Sequence, residues 1–126
     1  MRVLLDTHTL IWSLLYERRL SELGRELLSA PGHDIMISIV SVWEIAIKQG
    51  LGKLAPPFGI NQILKNSDLV YLPITPEHCH AYSLLPMDGQ HRDPFDRMLA
   101  VQAMAEDARL LSKDAAFDRY ELQRIW

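Results

Sequence analysis

The chain has 126 residues, 48% of them hydrophobic, which suits a single domain that builds its own core. One cysteine, Cys79, excludes an intramolecular disulfide and favours the reducing cytoplasm, and we expect neither a signal peptide nor a membrane span, because no apolar run approaches roughly 18 residues. The 13 Lys and Arg against 16 Asp and Glu argue weakly against nucleic acid as a partner, although clustered metal-binding acids would also lower this balance.

The first half of the chain alternates between short apolar runs and helical patterns. In chain order it predicts a strand at 2–6, a helix at 7–17, a helix at 21–30, a strand at 34–40 and a helix at 41–50. Ser21 suits the N-cap of the second helix, and Gly50 suits the end of the third.

The second half continues the alternation. It predicts a helix at 58–66, a strand at 69–74, a helix at 76–85, a loop at 86–93, a helix at 94–107, a strand at 108–112 and a short last strand within 122–126. Strands that alternate with helices favour an α/β domain over residues 1–126, with a mainly parallel sheet flanked by helices.

Four carboxylates fall at related places on this frame. Asp6 ends the first strand, Glu44 lies in the first turn predicted after the second strand, and Asp114 follows the strand at 108–112. Ligands of open parallel sheets bind outside the carboxyl ends of the strands, so these three acids should share one edge. Asp96 completes an acidic pocket if its helix begins at the same edge.

Such a pocket needs a compensating cation. Two carboxylates about 4 Å apart repel by roughly 4 kcal/mol at an effective dielectric near 20. Mg²⁺ or Mn²⁺ is the natural partner because both prefer carboxylate and water oxygens. A divalent ion beside a phosphate activates water and neutralises developing charge, so the pattern indicates phosphodiester hydrolysis.

Helix capping is the competing explanation for most of these acids. Ser41 and Glu44 fit a capping box, Asp93 fits an N-cap, and Asp114 could cap the short helix that follows it. The sequence offers no such structural explanation for Asp6, because a charge that ends a buried strand rarely adds stability. Capping and catalysis are compatible, since a helix N-terminus both orients a carboxylate and attracts phosphate.

The histidines give weaker signals. His78, Cys79 and His80 invite a zinc interpretation, but the i, i+2 spacing does not place both imidazoles on one helix face, and no second ligand pair follows. We therefore expect polar-face histidines on an ordinary helix. His8 and His91 flank acid positions and could touch substrate, although a surface histidine is the simpler interpretation of each.

Basic and aromatic residues also lie near the predicted pocket. Four basic residues could bind phosphates that flank the scissile bond: Lys48, Arg92, Arg97 and Lys113. Ordinary pairing with nearby acids explains them equally well. Trp12 and Trp43 sit in apolar helical patterns, so we expect them in the core or at an interface rather than as platforms for stacked bases.

Taken together, four segments resemble PIN-domain ribonucleases, and most closely the VapC-type toxins of bacterial toxin–antitoxin pairs. They are LLDTHTLIW (4–12), SIVSVWEIAIKQGLGKL (38–54), HRDPFDRMLAVQA (91–103) and SKDAAF (112–117). The resemblance covers nearly the whole chain in the right order. It implies a three-layer α/β/α sandwich, a divalent metal ion and endonucleolytic cleavage of RNA.

The resemblance also implies roles for particular residues. The acidic quartet of the family maps onto Asp6, Glu44, Asp96 and Asp114. Asp93 is an extra acid that we expect to act as a helix cap or as an outer metal contact. Ser112 keeps the hydroxyl where many relatives carry threonine. A cognate antitoxin and homodimerisation are further implications.

Two other classes are weighed against the nuclease. A phosphoacceptor receiver domain has a similar length and fold, and Lys113 fits it loosely. Asp6, however, lacks an acidic neighbour, and Glu44 stands where that class needs an aspartate. A PIN-like domain that keeps the acids but only binds protein is the second alternative, and RNA cleavage on addition of Mg²⁺ or Mn²⁺ separates it from a nuclease.

Overall fold

The structure is a computed structural model that describes residues 1–54, 58–87, 89 and 91–126. Its centre is a five-stranded parallel sheet with the order β3-β2-β1-β4-β5. The strands are β1 (Arg2–Leu5), β2 (Asp34–Ser38), β3 (Val70–Leu72), β4 (Arg109–Leu111) and β5 (Arg124–Ile125). Leu5, at the end of β1, is level with Ile37 and with Leu111, so β1 and β4 end together and β2 ends one residue later.

Six α-helices connect and cover these strands. They are α1 (Thr7–Leu15), α2 (Glu22–Ser29), α3 (Ile39–Gly50), α4 (Ile60–Leu64), α5 (Pro76–Ser83) and α6 (Pro94–Ala105). Two 3₁₀ helices, Glu17–Arg19 and Ala115–Arg119, complete the described elements. In the part of the chain that the structure describes, no helix is both long and apolar enough to cross a bilayer.

Apolar side chains cover both faces of the sheet. Along β1, Leu4 belongs to one buried cluster with Leu99 of α6, while Val3 and Leu5 belong to another with Leu10 of α1. Successive residues of a strand point to opposite faces, so a strand covered on both sides reads as a continuous apolar run. The predicted α/β/α sandwich with a parallel sheet is therefore confirmed. Positions 88 and 90 of the predicted loop at 86–93 lie outside the described residues.

The start of α3 differs from the prediction. Ser38, not Ser41, is the N-cap: its backbone is extended, and its hydroxyl oxygen accepts a hydrogen bond from the Val40 amide at 3.0 Å. The same hydroxyl donates to Gln102 of α6 at 2.5 Å, which fixes it in the core. Because of this cap, α3 begins at Ile39 and includes the last two residues of the strand predicted at 34–40. Glu44 consequently lies in the second turn of α3, and the expected capping box does not form.

Candidate active site

Asp6 follows β1 directly and has the structural role that its sequence position did not reveal. It is the N-cap of α1, and its Oδ1 accepts a hydrogen bond from the Thr9 amide at 2.7 Å. Its Oδ2 accepts a second one from the Ser112 hydroxyl at 2.5 Å. The expectation that Asp6 lacks a cap function is therefore wrong, because α1 begins at the residue after it. These bonds fix both oxygens of a carboxylate that is only 5% exposed.

Glu44 is buried against α1 and is also held at both oxygens. The Thr7 hydroxyl donates to Oε1 at 2.7 Å and shares a further hydrogen bond with the Ser41 hydroxyl at 3.0 Å. Lys48, one turn further along α3, places its Nζ 2.8 Å from Oε2. Thr7 and Ser41 are functional neighbours that the sequence reasoning missed, although a threonine directly after Asp6 was the available signal.

Asp93 and Asp96 open α6 with different roles. Asp93 is the N-cap, and its Oδ1 accepts from the Phe95 amide at 2.8 Å and from the Asp96 amide at 3.2 Å. Pro94 occupies the first turn, where its missing N–H leaves no bond unmade. The expected cap is thus confirmed for Asp93. Asp96 does not cap the helix, and its side chain remains 28% exposed.

Asp114 follows β4 and begins the 3₁₀ helix Ala115–Arg119. Its Oδ1 accepts from the Ala116 amide at 2.9 Å, so the predicted cap forms here as well. The Ser112 hydroxyl oxygen accepts from the Asp114 amide at 3.1 Å while its hydrogen is donated to Asp6. A single buried serine therefore ties two of the predicted acids together.

The electrostatic state of Asp96 shows that the acids converge. Burial raises its pKa first, and the negative charges of Asp93, Glu44, Asp6 and Asp114 raise it further, from 3.8 to about 7. Charges act in this way only over short distances in a partly desolvated site. The structure thus brings all five acids into one electrostatic neighbourhood at the carboxyl edge of the sheet.

A family model of the PIN domain matches residues 3–122, which is most of the chain. The chain belongs to the PIN domain family. Proteins of this family are generally nucleases. No curated protein sequence matches this PIN domain.

Solved structures share the fold of this PIN domain over nearly its whole length. VapBC2 from Rickettsia felis, bound to a DNA fragment from its promoter, matches with a TM-score of 0.75 and 20% identity, over 99% of this chain and 98% of that one. VapBC-1 from nontypeable Haemophilus influenzae gives 0.72 and 20%, over 99% and 97%. DNA-bound VapBC from Salmonella typhimurium gives 0.71 and 21%, over 100% and 97%.

The carboxylates do not form a ready-made metal cage. Within residues 1–54, 58–87, 89 and 91–126, no three side chains of His, Cys, Asp or Glu are arranged so that they could enclose a metal ion. This donor set nevertheless fits Mg²⁺, which keeps several waters and is commonly bound through one or two carboxylates plus substrate phosphate. Burial, followed by the charges of four neighbouring carboxylates, raises the pKa of Asp96 in this PIN domain.

His91 is buried beside Asp96 and is not the surface histidine that we expected. Its Nδ1 hydrogen-bonds to the Tyr120 hydroxyl, and its Nε2 faces Asp96 Oδ2 at 3.5 Å. Burial, followed by the charge of Arg119, lowers the pKa of His91, so the imidazole is neutral and the contact is not an ion pair at neutral pH. In the described structure Nε2 makes no hydrogen bond.

The four basic residues have different environments. Lys48 is paired with Glu44, whereas Arg92 and Lys113 are exposed near Asp93 and Asp114. Arg97 is only 2% exposed. Its guanidinium donates to the carbonyl oxygens of His91 at 3.2 Å and Leu85 at 3.4 Å, so it supports the chain before α6 and cannot meet a substrate phosphate. Arg97 is thereby removed from the predicted substrate contacts.

Trp12 borders the site rather than filling the core. Trp12 lines an open groove of about 280 Å³ together with Asp6, His8, Lys113 and Asp114. The expectation of a core or interface position for Trp12 is therefore wrong in its first part, because this face of α1 turns towards the acids.

Trp43 and His78 also have environments that differ from those predicted. Trp43 is 57% exposed and packs edge-on against Phe95 of α6, so it is not a core residue. His78 is buried, not on a polar face: its Nε2 lies 3.1 Å from Glu106 Oε1, and its Nδ1 accepts from the Thr75 amide at 3.1 Å. These bonds give His78 a structural role between α5 and the end of α6.

Proposed function

We propose that this PIN domain is a metal-dependent endoribonuclease that hydrolyses RNA phosphodiester bonds with Mg²⁺ or Mn²⁺. The observation that carries the proposal is the pKa of Asp96, raised to about 7 by burial and by four neighbouring carboxylates. Folding has gathered acids whose charges oppose one another. A stable fold needs no such cluster, whereas a site that binds a divalent cation does.

The carboxylates that would hold the metal in this proposal, one or two of them directly and the others through its bound waters, are Asp6, Glu44, Asp96 and Asp114, with Asp93 as an outer contact. When bound, the ion would activate water for attack on phosphorus and neutralise charge on the phosphate. Ionised carboxylates are required for this binding, so the proton that Asp96 retains near neutral pH competes with the metal.

The remaining residues hold these acids in place before any ligand arrives. Thr7 fixes Glu44, and Ser112 fixes Asp6 while it positions the Asp114 amide. Neighbours of this kind orient metal ligands and tune their basicity. Lys48 pairs with Glu44 Oε2 and holds this second oxygen in place in the metal-free protein.

Substrate binding falls to the exposed basic residues. Arg92 and Lys113 lie at the rim of the acid cluster, where they would contact phosphates on either side of the scissile bond, and Lys48 is the third candidate. Phosphate contacts hold a nucleic acid in register but carry no base specificity. The modest number of such residues fits a small footprint on RNA rather than a long binding track.

The partners follow from the same assignment. We propose that the protein is a VapC-type toxin that works in the cytoplasm as a homodimer and is inhibited by a cognate antitoxin protein. Support comes from solved neighbours that are VapBC complexes and share the fold over at least 97% of their own chains. Supporting sequence features are the four motif segments, which occur in family order.

The test is cleavage of a labelled single-stranded RNA by purified protein with Mg²⁺, with Mn²⁺ and with EDTA. We expect internal cleavage products with either metal and none in EDTA. Intact RNA under all conditions, from a folded protein, would favour the alternative of a catalytically inactive PIN-like module that binds protein. Cleavage that persists in EDTA would contradict the metal assignment.

A further inference from the structure

A groove of about 280 Å³ opens beside two of the acids and has an aromatic wall. Its lining consists of Asp6, His8, Trp12, Lys113 and Asp114. This volume lies just below the roughly 300–1,000 Å³ of typical small-molecule sites, so the groove suits a group about the size of one nucleobase. None of the three non-acidic residues takes part in the hydrogen bonds that hold the carboxylates.

The aromatic wall is built from α1 and the end of the chain. His8 and Trp12 are four residues apart, so they share one face of the helix, and their ring centroids are 5.8 Å apart with planes tilted by 42°. Trp126 meets Trp12 edge to face at 5.9 Å and 62°. This contact restrains the indole, which lines the groove beside the acids. Trp12 is therefore a preoriented flat surface.

The charges around the groove divide it into two parts. Lys113 supplies positive charge at the end near the acids, where it can attract a phosphate. Trp12 lies six residues after Asp6, about 9 Å further along the helix axis at 1.5 Å per residue. A phosphate at the acids would consequently leave its neighbouring base close to the indole, away from the carboxylates.

We propose that the groove is a base-binding subsite, in which one unstacked base of single-stranded RNA stacks on Trp12 next to the scissile phosphate. The inference rests on the proposed ribonuclease function and adds a residue that contacts the substrate, Trp12, and the place where one base binds. A base inside a duplex is already stacked on both faces, whereas loops and single strands present free faces to aromatic side chains. Stacking tolerates every base, so the subsite selects unpaired RNA more than a particular sequence.

The experiment removes the indole and the base separately. Cleavage positions are first mapped in a mixed-sequence single-stranded RNA with Mn²⁺, and an oligonucleotide around the strongest position is then resynthesised with one abasic nucleotide at each site in turn. The ratio kcat/KM is measured for wild type, Trp12→Leu and Trp12→Phe on every oligonucleotide. Tyr71→Leu, which removes another partly exposed aromatic ring on β3, is the matched control.

We expect wild type to lose about 5- to 150-fold in kcat/KM at one abasic position, the factor that corresponds to roughly 1–3 kcal/mol of stacking. Trp12→Leu should show a similar loss on intact RNA and no further loss at that position. Trp12→Phe keeps a ring and should fall between the two. Tyr71→Leu should behave as wild type on every oligonucleotide.

Several results would overturn the subsite. One is that no abasic position lowers the kcat/KM of wild type. Another is that the loss in kcat/KM from Trp12→Leu and the loss from the abasic nucleotide multiply, as expected for two independent changes. If Trp12→Leu does not fold, Trp12→Phe carries the comparison, and an undiminished abasic effect in that variant would count against stacking. Wild type that cleaves no RNA at all would remove the ribonuclease function, and the subsite with it, whereas normal cleavage without coupling would remove the subsite alone.

Discussion

Replacing Asp96 by asparagine should stabilise the metal-free protein. The side chain is partly buried and has four carboxylates as neighbours, so its charge opposes folding when no cation is present. Asparagine keeps the shape and removes the charge. The amide of residue 96 would still donate to Asp93, so the start of α6 is preserved.

The size of this effect follows from the pKa. A carboxyl group whose pKa rises from 3.8 to about 7 on folding removes about 4 kcal/mol of stability above pH 7. Because 28% of the side chain is exposed, solvent screening reduces the expected gain of the variant to roughly 2 kcal/mol. Between about pH 4 and pH 7 folded Asp96 holds a proton that the unfolded chain releases, so wild-type stability falls as pH rises through this window.

The assay is a set of melting curves in EDTA at constant ionic strength. At pH 8 Asp96→Asn should melt roughly 6–10 °C above wild type, and the difference should shrink towards pH 5. Mn²⁺ at 100 times its dissociation constant should stabilise wild type by about 2.7 kcal/mol in total. The same concentration should stabilise Asp96→Asn by less. Asp107→Asn is the control, because it removes the same charge beyond the other end of α6, where a positive φ of 49° suits asparagine. If Asp96→Asn melts below wild type at pH 8 and gains equally from Mn²⁺, the acids do not repel one another as described.

Three further predictions concern neighbouring residues. Asp93→Ser keeps a cap oxygen but removes the neighbouring charge that raises the pKa of Asp96 most. It should retain substantial RNA cleavage, and the acid limb of its pH–rate profile should lie at lower pH than in wild type. Equal inactivity of Asp93→Ser and Asp96→Ser would make Asp93 a direct ligand. In urea titrations, Ser38→Ala should lower the free energy of unfolding by about 1–2 kcal/mol, and Ser41→Ala should lower it by less. A larger loss from Ser41→Ala would contradict the assignment of Ser38 as the N-cap of α3. Arg97→Met should lower the free energy of unfolding by about 2 kcal/mol or more, because two carbonyls lose their hydrogen-bond donor. The salt dependence of RNA binding should not change, and a shallower dependence in the variant would show that Arg97 contacts the substrate.

The sequence predicted the sheet well because parallel strands covered on both faces have a simple signature. The run at 2–6 and the strand at 108–112 were found from their continuous apolar residues, and both lie in the centre of the sheet. The boundary between β2 and α3 was misplaced, since Ile39 and Val40 are as apolar as the strand before them. A hydrogen bond from Ser38 to Gln102, 64 residues further along, fixes that boundary and has no local signal.

The candidate site was predicted unevenly for a similar reason. The positions of the acids follow from strand ends, so their grouping could be foreseen, as could the cap at Asp93. The burial of side chains could not be foreseen. Arg97 and His91 lie in a stretch of mixed charge that is typical of a surface, and residues distant in sequence, among them Tyr82 and Phe117, pack against them.

We propose that the gathered acids support metal-dependent RNA cleavage, and the most direct measurement of this compares single variants in one assay. Asp6→Asn, Glu44→Gln and Asp96→Asn are tested beside wild type and Asp107→Asn on the same single-stranded RNA, with Mn²⁺ and with EDTA, after melting curves show that each is folded. We predict that all three site variants lose most of the cleavage, that Asp107→Asn keeps it, and that EDTA abolishes it. Cleavage near the wild-type rate by any two of the three site variants would contradict the account.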